Sequence, residues 1–361
     1  MIPVAKPYFN KLEEQYLNEA IKSGMITFHG KFIPEFEDKF KSYLGTNYAL
    51  SCSNGTTALH LCLLALGIKP GDEVITTPLT YASTAFAISY CGAKPIFVDI
   101  GEDWNIDTTL IENSITSNTK AIIAVHLYGH ACDMANIMKI AKKYNLYVVE
   151  DCAEALGAKS VKNLHTVKVG SIGDISSFSF FGNKIITTGE GGMVVTNNEN
   201  LYEKAKYYCC QAQSNIRYYH TDIGYNYRMT NLQAAIGVAQ LEKLSLILDR
   251  RKVIRDQYNK NLSGLSLKLM SSSNHDVNWL YSLEIEERNI LCNRLSKVGI
   301  DSRPFFMPLH SMPMYLSKSN FPKAELCSNL GINLPTFCDL TLDEVDIISS
   351  IVRKHAELYH S

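Results

Sequence analysis

Long hydrophobic runs, an excess of one charge and patterned cysteines are all missing from this chain of 361 residues. A helix that crosses a bilayer needs about 20 consecutive apolar residues. The richest stretch, Ala58 to Ile68, is shorter and contains His60, so no such helix is expected. Lysine plus arginine number 35 and aspartate plus glutamate 36, a net charge of −1. Without a basic excess, nucleic acid and anionic membrane are excluded as the main partner. The opening Met1-Ile-Pro-Val-Ala-Lys-Pro has no apolar segment after a basic stretch, as an export signal would. The ten cysteines have no framework spacing and no Cys-x-x-Cys pair; Cys209 and Cys210 are adjacent. They read as reduced thiols, and the expected location is cytoplasmic. No Gly-x-Gly-x-x-Gly follows the first strand candidate, which argues against a nicotinamide-dependent oxidoreductase. Repeats, low-complexity tracts and charge runs are absent too. Apolar residues make up 46%, ample for a core, so disorder is excluded.

What is present alternates. Short β-branched runs at Glu73–Thr77, Lys94–Asp99, Ala121–His126, Leu146–Asp151, Ile175–Phe180 and Gly192–Thr196 read as buried strands. Helical spacing lies between many of them, at 57–66, 81–90 and 134–144. This pattern predicts an α/β fold with a mainly parallel sheet covered on both faces. A long helix is expected over about 231–262, bridging to a second domain. Beyond it, a strand candidate at 279–285, a helix at 288–298 and a closing helix at 342–355 predict a smaller α+β unit. The expected division is 1–240 and 241–361.

Ligands gather at the carboxyl ends of strands in such sheets. Lys184 follows an apolar strand and sits in a loop rich in glycine and threonine. A desolvated amine there is nucleophilic toward a carbonyl; the alternative is a surface-loop lysine. Asp151 ends a buried strand and needs a partner to stay ionised, such as a protonated pyridine nitrogen; the alternative is a helix cap. Ser53-Asn-Gly-Thr opens an apolar helix whose first N–H groups suit a phosphate, although serine and threonine also serve as ordinary caps. Tyr81 follows a strand and suits stacking on a planar ring or simple core packing. A metal site from His126, His130 and Cys132 is the weaker account beside strand-end packing, and no metal is expected.

The order phosphate turn, aromatic, aspartate, lysine is more specific than any one of its parts. It resembles fold type I enzymes that use pyridoxal 5′-phosphate (PLP). The wording resembles the DegT/DnrJ/StrS sugar aminotransferase family from Pro3 to the last helix. The matching stretches include Ser53-Asn-Gly-Thr-Thr-Ala-Leu, Glu150-Asp-Cys-Ala-Glu-Ala, Ser177-Phe-Ser-Phe-Phe-Gly-Asn-Lys, Thr188-Gly-Glu-Gly-Gly and Gly224-Tyr-Asn-Tyr-Arg-Met. The resemblance implies a large domain with a mixed, mostly parallel sheet and a smaller C-terminal domain. It makes Lys184 the Schiff-base lysine and general acid/base. Asp151 becomes the partner of the ring nitrogen, Glu154 a residue near the ring hydroxyl, and Tyr81 the stacking aromatic. Gly55, Thr56 and Ser179 would hold the phosphate, and Asn226 would reach it from a neighbouring subunit. A homodimer with shared sites follows. Relatives with histidine in place of the lysine are dehydratases; Lys184 points to a transaminase.

The resemblance also implies L-glutamate as amino donor, pyridoxamine 5′-phosphate as the aminated cofactor, and ping-pong kinetics. The segment from Asp301 to Tyr315 resembles that of family members acting at C4 of nucleotide-linked 4-keto-6-deoxy sugars. The stretches Phe180 to Val195 and Tyr225 to Glu242 look most like those of members converting GDP-4-keto-6-deoxy-mannose to GDP-perosamine, with a dTDP- or UDP-linked sugar as the alternative. Cell-surface polysaccharide synthesis, such as lipopolysaccharide O-antigen, is the implied setting. Arg228 and Arg303 are candidates for a diphosphate and His310 for sugar or phosphate; each is equally suited to a structural ion pair or cap. A non-catalytic regulator of the same fold is the distant rival. It predicts a lost lysine or aspartate, or an added DNA-binding helix pair, and none of these is seen.

Overall fold

β-branched runs bounded by Gly, Pro or Asp become six of the seven strands of one sheet. The computed structural model describes residues 1–162, 165–270, 273, 275–317 and 319–359, without the side chain of Lys162. In chain order the strands are Tyr48–Cys52 (β1), Glu73–Thr76 (β2), Lys94–Phe97 (β3), Thr119–Val125 (β4) and Tyr147–Asp151 (β5). A hairpin of Lys159–Lys162 (β6) and His165–Lys168 (β7) precedes Ile175–Ser179 (β8) and Gly192–Thr196 (β9). The sheet order is β1-β9-β8-β5-β4-β2-β3. Neighbours from β8 to β3 run parallel, while β9 runs antiparallel to β8 and β1.

Alternate residues of β4 go to opposite cores, which is why its run is almost continuously apolar. Ala121, Ile123 and Val125 join the cluster containing Leu59 and Leu63 of helix Gly55–Leu66. Ile122 and Ala124 join the one containing Ile137 and Ile140 of helix Met134–Tyr144. Each fully buried Ile or Leu side chain contributes about 1.5–3 kcal/mol. On a third flank, helix Phe32–Leu44 crosses helix Asn231–Glu242. A Cβ on Gly237 would lie 2.7 Å from the Phe36 ring, so glycine permits this approach.

The C-terminal part forms an antiparallel sheet of Lys268–Leu269 (β10), Tyr281–Glu284 (β11), Arg303–Pro304 (β12) and Gly331–Leu334 (β13), ordered β10-β11-β13-β12. Helices Leu244–Leu262, Arg288–Lys297 and Leu342–Tyr359 cover it through Ile254, Tyr258, Leu291, Leu295, Ile348 and Val352. The first residues also reach this part: Ile2 pairs with Ile300, and Thr336 N–H donates to Val4 O at 3.0 Å.

Three local expectations change. The single helix over 231–262 is two helices, broken at Lys243, whose ammonium is tied to Glu13 and to Tyr8 O. The helix expected from Tyr81 starts at Ser83, leaving Tyr81 in the preceding turn. Residues 48–52, absent from the strand candidates, form the edge strand β1.

Candidate active site

Strand ends supply the site, as the fold rule requires. A cavity of about 480 Å³ opens at the carboxyl ends of β4, β5 and β8. Seven expected cofactor residues line it: Gly55, Thr56, Tyr81, Asp151, Glu154, Ser179 and Lys184. Arg303 lines it from β12.

Successive residues of β5 face opposite ways, so the Glu150–Asp151 pair divides its work. Glu150 turns into the protein. Its oxygens accept N–H bonds from Gly170 (2.8 Å), Ile172 (2.8 Å) and Gly173 (2.7 Å), and His126 Nε2 lies at 3.2 Å. Since His126 Nδ1 accepts from Cys132 N–H at 3.1 Å, Nε2 carries the proton and donates to Glu150. Burial opposes ionisation of Glu150, but these donors outweigh it and hold its carboxyl below the usual range. His130 goes elsewhere, to Asp276 at 2.7 Å and Asp103 at 3.6 Å. Among the described residues, the one cluster with metal-ligand spacing is His126, Glu150 and Cys152, without His130.

Asp151 turns into the cavity. It is 5% exposed and accepts bonds from Thr84 Oγ1 (2.9 Å) and Ala153 N–H (3.2 Å). Both donors are neutral, and among the described residues the carboxylate has no ion-pair partner. Burial therefore pushes its carboxyl above the usual range, against these two bonds.

Lys184 closes a turn after β8, its N–H bonded to Phe181 O at 3.0 Å. The side chain is 13% exposed, and Nζ lies 3.6 Å from Glu154 Oε1 and 3.9 Å from the Trp279 ring centroid. Burial pushes this amine down, against the pull of Glu154 and Asp151. Burial pushes Glu154 up to about 7, against Lys184 and the Tyr128 N–H that donates to it at 2.8 Å. Tyr128 holds a positive φ of 52°, a costly conformation for a bulky residue, and its hydroxyl accepts from Phe306 N–H at 3.1 Å.

The helix start is capped reciprocally: Asn54 Oδ1 accepts from Thr57 N–H at 2.9 Å, and Thr57 Oγ1 accepts from Asn54 N–H at 3.2 Å. At the first two helical positions, the N–H groups of Gly55 and Thr56 have no intrahelical acceptor. A Cβ on Gly55 would lie 2.7 Å from Ser179 Cβ, so glycine brings this helix start against the end of β8.

These residues fit PLP. A buried carboxylate with no ion-pair contact among the described residues suits a protonated ring nitrogen. A desolvated amine suits the aldehyde, and a helix start with free N–H groups suits the phosphate. Tyr81 is 62% exposed at the cavity edge, with Phe306 at 5.9 Å between ring centroids.

Three expected residues stand apart from the cavity. Asn226 is exposed and accepts from Arg228 Nη2 at 3.2 Å. The Arg228 guanidinium lies 3.6 Å over the Phe28 ring and also bonds Gln211. His310 is buried, 3.0 Å from Glu325 and packed on Phe321. Conversely Thr84, Tyr128, Asn183, Trp279 and Phe306 line the cavity unannounced. Thr84, Asn183 and Phe306 lie in segments already singled out, beside Tyr81, Lys184 and Arg303; Tyr128 and Trp279 carried no such signal.

The chain is similar to proteins named GDP-perosamine synthase. That of Escherichia coli O157:H7 is 48% identical over 98% of each chain. That of Caulobacter vibrioides is 44% identical over 96% of this chain and 95% of the relative. Among solved structures, Spr1654 from Streptococcus pneumoniae in its PLP form superposes with a TM-score of 0.92, at 30% identity over 99% of both chains. Residues 7–353 match the DegT/DnrJ/EryC1/StrS aminotransferase family, and the chain belongs to it, as a PLP-dependent sugar aminotransferase.

Proposed function

We propose that this enzyme moves the amino group of L-glutamate to C4 of GDP-4-keto-6-deoxy-mannose, giving GDP-perosamine. The placement of Lys184 and Asp151 in one cavity carries the amino transfer. The near end-to-end similarity to the two GDP-perosamine synthases supports the sugar.

When bound, PLP supplies a cationic ring that takes up the electron pair released at the donor's Cα. Lys184 holds the cofactor and, once its amine is freed, takes the Cα proton of glutamate; on the acceptor side it returns a proton to C4 of the sugar. Asp151 keeps the ring nitrogen protonated. Gly55, Thr56 and Ser179 bind the phosphate, Tyr81 covers one ring face, and Glu154 lies near the ring hydroxyl. Arg303, exposed at the mouth, meets the diphosphate of the substrate.

The enzyme works as a homodimer in the cytoplasm in this reading, with Asn226 completing the partner's cavity. Exposed Ile216, Tyr218, Tyr219 and Ile223 precede Asn226 in the chain, an apolar surface suited to a second copy. No described helix is long and apolar enough to cross a membrane.

The test is an absorbance titration of PLP-loaded protein. L-Glutamate is expected to bleach the band of the lysine-bound cofactor. GDP-, dTDP- and UDP-linked 4-keto-6-deoxy sugars are then added separately. Return of the band with the GDP sugar alone is the expected result. Return with only a dTDP or UDP sugar replaces the substrate, and no bleaching by glutamate removes the donor.

A further inference from the structure

Trp279 precedes β11 and belongs to the C-terminal part of the chain, yet it lies beneath Lys184. The amine sits 3.9 Å from the indole centroid, and the indole Nε1–H donates to Asn183 O at 2.6 Å. One side chain thus touches both the reactive atom and the turn that carries it. Trp279 is itself held on several sides. Arg251, 3% exposed on helix Leu244–Leu262, donates to Asn278 O (3.1 Å), Trp279 O (2.8 Å) and Thr336 O (3.1 Å). Val277 N–H donates to Gly129 O at 3.0 Å. A Cβ on Gly129 would lie 1.7 Å from Val277 O, so glycine is required for this approach. Tyr128 stacks near the indole, with 6.1 Å between centroids and 22° between planes. Trp279 is 4% exposed and the Lys184 side chain 13%, so their contact is largely shielded from water.

We propose that Trp279 is a positioning residue for Lys184: its ring face carries the charged amine whenever the cofactor releases it, and its N–H fixes the turn from which the amine reaches. The proposal rests on Lys184 being the lysine that holds the cofactor. The charged groups facing the amine are Glu154 and Asp151 from the end of β5 and Arg303 from β12. Two carboxylates favour the ammonium; burial and Arg303 oppose it. A largely shielded cation–π contact adds to the favourable side and shifts the amine's acid–base equilibrium on the order of ten-fold, about one pH unit. A proton carrier needs this balance, since it must both take and return a proton.

The test uses full-length protein loaded with pyridoxamine 5′-phosphate, in which the Lys184 amine is free. Trace acetylation across a pH series, read by peptide mass spectrometry, gives the titration midpoint of each lysine. Trp279→Leu is expected to lower the Lys184 midpoint by about one pH unit. Trp279→Phe keeps a ring and loses the N–H, so it should shift the midpoint less while still lowering kcat. Fluorinated tryptophan preserves shape and the N–H, which covers the case of a leucine variant that fails to fold. The Lys184 midpoint should then fall stepwise with fluorine number. An unchanged midpoint across the fluorinated series overturns the proposal. If native protein shows no PLP band although Lys184 titrates normally, the assignment of Lys184 fails instead.

Discussion

Glu150 and Asp151 are chain neighbours that look alike in sequence, and replacing each should have opposite consequences. In Glu150→Gln the amide NH2 must replace one carboxylate oxygen. If it replaces Oε1, it faces the N–H groups of Ile172 and Gly173. If it replaces Oε2, it faces the Gly170 N–H and His126. Either way two buried donors lose their acceptor, and the remaining bonds lose their charge. Leaving one buried donor unpaired costs about 1–3 kcal/mol, so the total is about 3–5 kcal/mol. For a chain of this length the unfolding entropy is about 0.8 kcal/mol per kelvin, which converts the loss to a drop of about 4–6 °C in melting temperature. The loss should depend on pH. Because the folded state holds the Glu150 carboxyl below its usual range, its contribution is complete above the unfolded value of about 4.5 and fades as pH falls through the folded one. Calorimetry of cofactor-free native and variant protein, at pH 7 and at decreasing pH, reads both effects. Equal melting temperatures at pH 7 refute the reasoning, as does a gap that widens in acid.

Asp151→Asn should do the reverse. Its carboxyl is raised by burial, so its charge at pH 7 destabilises the cofactor-free fold, and the variant should melt no lower while kcat falls on the order of 100-fold or more. Gly55→Ala places a methyl 2.7 Å from Ser179 Cβ and should weaken PLP binding by about 1–3 kcal/mol, measured by equilibrium dialysis. Burial opposes charge on His130, but its bonds to Asp103 and Asp276 outweigh this and raise it to about 9. Its stabilisation is therefore complete below about pH 6.5 and lost as pH rises through about 9. His130→Gln should lower the melting temperature at pH 6 and leave it nearly unchanged at pH 10.

The sequence carried the parts of this fold that depend on local pattern. Runs such as Ala121–His126 are apolar because both sheet faces are covered, and that shows in one dimension. β1, Tyr-Ala-Leu-Ser-Cys, lacks β-branched residues and is held by pairing with β9, a contact formed far along the chain. The break at Lys243 has neither glycine nor proline to mark it; its visible partner is Glu13 at the other end of the chain. The site divides in the same way. Gly55, Asp151 and Lys184 sit in motifs because each is fixed by its own strand end or helix start. Trp279 reads as the first residue of an ordinary strand, and only the contact of its indole with the Lys184 turn gives it a role. Arg228 and His310 show the converse: polar residues in suggestive segments whose partners are Phe28, Gln211 and Glu325.

The central claim is that Lys184 holds the cofactor, and chemical trapping tests it most directly. PLP-loaded protein is reduced with borohydride, digested and mapped by mass spectrometry. The account predicts a stable pyridoxyl adduct on Lys184, with Lys184→Ala yielding no adduct at that position and no transamination. An adduct confined to another lysine, or transamination that survives Lys184→Ala, contradicts it.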